Sequence, residues 1–162
     1  MTKPVAIVTG ASRGVGKAVA LLLAEKGWNL TLTCSSSLKE AKKVAKECND
    51  LGAETIVLTA DVSDESKCKE TVQKTIEEWN RLDVLINNAG KTVFNAHENL
   101  AGLKSEDFLE IYKTYTVGPY MMIKEAEEFL RKSPIASVVN IASIAGVIGV
   151  GSSMLTLPQK GR

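Results

Sequence analysis

Thr9-Gly10-Ala11-Ser12-Arg13-Gly14-Val15-Gly16 follows a short apolar run, Val5-Ala6-Ile7-Val8, and leads directly into an amphipathic stretch. Glycines between a buried strand and a helix permit a tight turn. They also let backbone N–H groups approach a pyrophosphate at the helix N-terminus, where the peptide dipoles favour negative charge. A plain strand-to-helix turn uses the same residues, so the glycines alone are a weak signal; their placement strengthens it. The phosphate-binding loop of nucleoside triphosphatases is excluded by register. After Gly10 that loop needs glycine at position 15 followed by Lys-Ser/Thr, and the chain has Val15, Gly16 and Lys17-Ala18. Three further polar groups fall where later strands should end: Asp61-Val62, Asn87-Asn88-Ala89-Gly90 and Asn140-Ile141-Ala142-Ser143. Taken by itself, Asn87-Asn88 reads as a strand-end turn.

The elements that must position these residues alternate. Strands are predicted at Val5–Val8, Leu30–Thr33, Thr55–Thr59, Leu82–Ile86 and Val138–Ile141. Helices are predicted from Val15 to Lys26, closed by Gly27, and from Leu38 to Leu51, closed by Gly52. A third should run from a Ser63 or Asp64 cap to about Trp79. A fourth, long helix should run from a Ser105 cap to Arg131 and Lys132, kinked at Gly118-Pro119. Strands alternating with helices imply an α/β fold with a parallel, doubly wound sheet.

Composition narrows the function classes. The chain has 162 residues, enough for one domain; 44% are hydrophobic and 24% charged, as in an ordinary globular protein. Twenty Lys and Arg against 19 Asp and Glu leave a net charge of +1, which argues against nucleic acid or an anionic membrane as the main partner. No apolar run approaches the ~20 residues that span a bilayer, and the N-terminus does not read as a signal peptide. Cys34, Cys48 and Cys68 are odd in number and lack Cys-x-x-Cys spacing. Neither a disulfide framework nor a metal site is expected, and they read as packing residues in a reducing compartment, the cytoplasm or an organelle matrix. His97 reads as a solvated loop residue, and Met121-Met122 as helix core or interface. Asn29-Leu30-Thr31 spells a glycosylation acceptor but enters a predicted buried strand, so it is discounted.

The ordered motifs resemble the short-chain dehydrogenases/reductases, in particular the 3-oxoacyl-carrier-protein reductase and carbonyl reductase branches. Thr9 to Gly16 is similar to that family's Thr-Gly-x-x-x-Gly-x-Gly turn, Asn87-Asn88-Ala89-Gly90 to its second signature, and Asp61-Val62 to its adenine-side contact. Asn140-Ile141-Ala142-Ser143 resembles its catalytic serine segment. The resemblance implies a Rossmann-like sheet of strand order 3-2-1-4-5. It also implies that Gly10, Ser12, Arg13, Gly14, Val15 and Gly16 hold the phosphates and ribose of a dinucleotide. Asp61 and the backbone of Val62 would meet the adenine, and Asn88, Ala89 and Gly90 the ribose. The cofactor expected is NADP, because Cys34-Ser35-Ser36-Ser37 after the second strand lacks the carboxylate that binds an NAD ribose, while Arg13 and Lys39 can pair with a 2′-phosphate.

The catalytic pattern is incomplete. In the family a tyrosine is the general acid, a lysine four residues later holds the ribose, a serine orients the carbonyl and an upstream asparagine supports a water relay. Ser143 and Lys160 match the serine and lysine. The tyrosine position is Thr156, and the asparagine position, three before Gly118, is Tyr115. Threonine is a far weaker acid than tyrosine, whose unperturbed pKa is ~10. Pro158 also stands where the family has a helix. Family members continue through two more helix–strand units, so the resemblance implies a single dinucleotide-binding domain over 1–162 lacking the family's last strands. The expected function is carbonyl/alcohol interconversion on a small-molecule substrate, weak or absent in this form, in a homo-oligomer. One alternative is a non-catalytic module that pairs with full-length relatives; another is relocated chemistry at Tyr115 near Ser143.

Overall fold

Four consecutive buried residues with no polar break make β1 (Val5–Val8) the centre of the molecule. The computed structural model describes residues 2–96 and 98–143. Along these the order is β1, α1 (Gly14–Glu25), β2 (Asn29–Cys34), α2 (Leu38–Asp50), β3 (Thr55–Thr59), α3 (Glu65–Trp79), β4 (Val84–Asn87), α4 (Ser105–Tyr112), α5 (Gly118–Leu130) and β5 (Ser137–Asn140). The five strands form one parallel sheet in the order β3-β2-β1-β4-β5, the order that the motif resemblance implies.

The two-residue period of a strand sends alternate side chains of β1 to opposite layers. Ala6 and Val8 join Leu30, Leu32, Ala20, Ala24 and Val44 on the face covered by α1 and α2. Ile7 joins Leu85, Val72, Met122 and Ala126 on the face covered by α3 and α5. On that second face Thr31 and Thr75 share a hydrogen bond of 2.7 Å, and Thr75 donates onward to the Thr71 carbonyl.

Element ends differ from expectation for specific reasons. Asp64, not Ser63, caps α3, its carboxylate accepting the Ser66 N–H at 2.8 Å. β4 starts at Val84 and not Leu82, because Asp83 uses both backbone and side chain to close the start of β1. Its N–H donates to the Val5 carbonyl and its carboxylate accepts the Val5 N–H at 2.8 Å. Ser105 is the first residue of α4 and not its cap; the Asp107 carboxylate accepts the Lys104 N–H ahead of it. The long helix expected over 105–131 is two helices joined by a π-helical turn, Lys113–Val117. Pro119 has no N–H to give the Tyr115 carbonyl, and its ring crowds that position; an inserted residue resolves both conflicts. No helix among the described residues is long and apolar enough to cross a membrane.

Candidate functional site

The carboxyl ends of β1 to β4 open onto one cleft of about 350 Å3. Gly10, Ser12, Arg13 and Gly14 form one wall, and Cys34 to Ser37 with Ala60, Asp61 and Val62 form the next. Asn88 to Lys91 and the π-turn residues Thr114 and Tyr115 complete it. The cleft lies where the strand order reverses beside β1, the place where open α/β sheets hold ligands. A second hollow of about 400 Å3 lies at the opposite ends of the strands, among Trp79, Arg81, Phe129 and Lys132; no sequence-predicted site residue borders it.

Thr9 and Asn88 lock the first and second glycine-containing motifs together. The Thr9 hydroxyl accepts the N–H groups of Asn88 and Ala89, both at 3.0 Å, and donates to the Ile86 carbonyl at 3.3 Å. The Asn88 side-chain amide donates back to the carbonyls of Thr9 (2.9 Å) and Gly10 (3.0 Å). Asn88 therefore borders the cleft, but its amide is committed to holding the glycine turn. Gly10 has φ +65, and a Cβ there would lie 2.8 Å from the Ala89 Cα, so only glycine fits.

These residues suit a bound pyrophosphate on structural grounds. Gly14 opens α1 at the cleft, and a Cβ added there would meet nothing within 4 Å, so the helix end presents bare backbone. The first turn of α1 carries no acidic side chain to oppose an anion.

The family pattern described as short chain dehydrogenase matches residues 4–155. The chain belongs to the short-chain dehydrogenase family. It is 37% identical over 151 residues to a protein of Streptomyces violaceoruber named as ketoacyl reductase 2 of the granaticin polyketide synthase, covering 93% of this chain. It is 32% identical over 149 residues to a 3-oxoacyl-acyl-carrier-protein reductase of Staphylococcus aureus, covering 92%. The chain spans 59% of the length of each. Among solved structures it superposes on a protein of Burkholderia xenovorans assigned to the short-chain dehydrogenases/reductases, with TM-score 0.93, 34% identity, and coverage of 99% of this chain and 68% of that one. An NAD+-bound xylitol dehydrogenase (TM-score 0.87, 28% identity, 99% and 60% covered) and a metagenomic short-chain oxidoreductase in complex with NADP (0.88, 26%, 99% and 70%) share the fold.

The expected cofactor residues fall into two groups. Gly10, Ser12, Arg13, Gly14, Asp61, Val62, Asn88, Ala89 and Gly90 border the cleft. Val15 and Gly16 are not among its lining residues. Val15 is 55% exposed, and Gly16 is buried under the turn, where a Cβ would strike the Asn88 amide and lie 2.5 Å from the Gly10 carbonyl oxygen. Gly16 thus allows close packing of α1 against the turn. Ser143 lies three residues beyond β5 and is not among the lining residues described, while Thr156, Lys160 and His97 fall outside the described residues. Lys91 and Thr114 line the cleft unannounced, because nothing in a lysine after glycine distinguishes it from a surface residue.

Electrostatics around the cleft are specific. Burial pushes the Asp61 carboxyl up, but hydrogen bonds from the Ser63 N–H (2.9 Å) and hydroxyl (2.7 Å), aided by the Lys91 charge, hold it below the usual carboxylate range. Asp61 is thus an acceptor in its ionised form. Burial raises the thiols of Cys48 and Cys68 to about 11 each, and burial followed by the charge of Glu40 raises that of Cys34. All three are buried free thiols, as the packing reading holds. Asn29 of the glycosylation triplet is buried as well, bonded through its side chain to Glu54.

Proposed function

We propose that the chain binds NADP(H) in this cleft and serves carbonyl/alcohol interconversion on a small-molecule substrate. The observation that carries the reading is the convergence of three sequence-separated motifs on one cleft at the switch point of the sheet. NADP is favoured over NAD by the walls themselves. Ser35, Ser36 and Ser37 line the cleft after β2 without a carboxylate, and Arg13 stands in the facing turn. When bound, the nicotinamide supplies a hydride to, or accepts one from, the carbon of the substrate. The residues of this chain would hold the phosphates (Gly10 to Gly14), accept from the adenine amino group (Asp61) and line the ribose (Asn88 to Gly90). Ser143 would orient the carbonyl and Lys160 the ribose.

Turnover is proposed to be weak, since Thr156 stands at the family's tyrosine position. Loss of a positioned general acid costs about 10²–10⁴-fold. The same substitution favours a second reading, a non-catalytic cofactor-binding module that pairs with full-length relatives or with itself. Exposed Phe108, Leu109 and Tyr112 on α4 and Tyr120 on α5 offer an apolar face for such pairing. The buried free thiols favour the cytoplasm or another reducing compartment.

Titration of NADPH and NADH, followed by protein fluorescence, tests the cofactor reading. NADPH is expected to bind more tightly, and Arg13→Ala to weaken NADPH more than NADH. Equal affinities in the wild type would overturn the NADP preference. NADPH oxidation against aldehydes, ketones and acetoacetyl thioesters tests turnover; robust rates abolished by Tyr115→Phe would show relocated chemistry.

A further inference from the structure

Among the described residues that line the cleft, Arg13 and Lys91 are the cations and Asp61 is the acid. Lys91 is engaged elsewhere. Its Nζ pairs with Glu110 Oε2 of α4 at 2.7 Å, while its charge also helps to hold the Asp61 carboxyl low. The pair with Glu110 is of an exchangeable kind. Its side chains are 41% and 49% exposed, so water screens the attraction and the pair contributes little. Glu110 has a second cation, Lys113 Nζ, on its other oxygen at 3.5 Å, and is not stranded if Lys91 leaves. The backbone of Lys91 stays fixed meanwhile, its carbonyl accepting the Tyr115 hydroxyl at 2.7 Å. Only the flexible lysine side chain has to move.

From this arrangement we propose that Lys91 is a further cofactor-binding residue, one that leaves Glu110 for the phosphates when the dinucleotide enters the cleft. The proposal rests on the cofactor reading above and deepens it. Glu110 and Asp61 divide the influence of the lysine charge between them, and Glu110 holds it from an exposed helix surface. A dinucleotide brings several negative charges into a concave wall with less water around them. A cation is drawn to those charges more strongly than to one carboxylate in open solvent. Lysine suits such an exchange, because its ammonium is a compact charge with rotatable donors that needs no fixed partner geometry. Its nearness to Asp61 serves the same end, since it offsets the repulsion between that carboxylate and an incoming anion.

A double-mutant cycle on the full chain tests this: wild type, Lys91→Gln, Glu110→Gln and the double variant, each titrated with NADPH and melted without ligand. Lys91→Gln is expected to weaken NADPH about threefold to tenfold, the contribution of one partly screened charged contact. Glu110→Gln releases the lysine and is expected to tighten NADPH about twofold to fivefold. Removing a carboxylate near an anion also tightens binding through its field alone, and the double variant separates the two causes. Without the lysine, Glu110→Gln should change nothing. Equal tightening in both backgrounds overturns the exchange, as does wild-type affinity in either single variant or weaker binding by Glu110→Gln. The melts should coincide, and an early one would show that the pair serves the fold instead. A wild type that binds neither NADPH nor NADH overturns the cofactor reading and this proposal with it. A wild type that binds, with variants unchanged, overturns the exchange alone.

Discussion

Replacing Thr9 by valine preserves the shape of the side chain and removes one hydroxyl, which serves the N–H groups of Asn88 and Ala89 and the Ile86 carbonyl. Thr9 itself is 1% exposed; the loss leaves the N–H groups of the half-buried Asn88 and Ala89 without their acceptor, while the Ile86 carbonyl keeps the Thr9 N–H at 3.0 Å. Thr9→Val is therefore expected to destabilise the fold by roughly 2–4 kcal/mol in denaturant unfolding, while Thr9→Ser retains most of the stability. Asp83 works on the same scale at the opposite end of the sheet. It is fully buried and accepts from the Val5 N–H (2.8 Å), Arg81 Nε (2.6 Å) and the Ser133 hydroxyl (2.5 Å). Burial pushes its carboxyl up, but the hydrogen bonds from Arg81, Ser133 and Val5 outweigh this and hold it below the usual range. A depressed native pKa means that the stabilisation is present above the unfolded value of ~3.9 and is lost as the pH falls through the native one. Wild-type stability should thus decline in acid below about pH 4. Asp83→Asn should start lower near neutrality and decline less, which melts across a pH series would show.

At the scale of elements, what could be read in advance depended on how local the cause was. Gly27 was legible as the stop of α1, since it has φ +82 where a side chain is strained. Strand β1 was legible because every residue in it is apolar and buried. The segment from 105 to 130 was legible only as far as an interruption. Proline predicts a conflict with the preceding turn, but whether the helix bends or takes in an extra residue is decided by what lies against it. Here Gly118 packs on Val62, three residues beyond β3, where an added Cβ would meet the Val62 carbonyl oxygen at 2.8 Å and its Cγ2 at 2.9 Å. Backbone on one side leaves no flexible neighbour to move aside. Gly118→Ala should force α5 outward at a cost of about 1–3 kcal/mol, read as a lowered melting temperature. Because Val62 also borders the cleft, the same variant should weaken NADPH. If it melts like wild type, α5 is not seated as tightly as this contact requires.

On the scale of the whole molecule, topology was legible from the order of the motifs, because each falls at the carboxyl end of a strand and a parallel sheet brings those ends together. The separation of Gly16 from Gly14 was not legible: both are glycines of one turn, and only the path of α1 decides which meets the cleft. The exposure of β5 belongs to this scale too. Among the described residues it is the edge of the sheet beyond β4, and all four of its residues are exposed. Val138 and Val139 stand at 37% and 39% exposure, with no charge or proline between Ser137 and Asn140. A parallel edge of this kind, with no strand paired to its outer side among the described residues, favours pairing with another strand. The chain is therefore expected to self-associate at tens of micromolar, the regime in which exposed edges meet. Val139→Lys should shift it toward the monomer, since a charge on an edge opposes pairing. Because Val139 is already partly in solvent, the lysine should cost little stability. Sedimentation velocity with a parallel thermal melt distinguishes the outcomes. A monomeric wild type would show that the edge is not sticky, and a variant that melts early would show that Val139 is covered in solution.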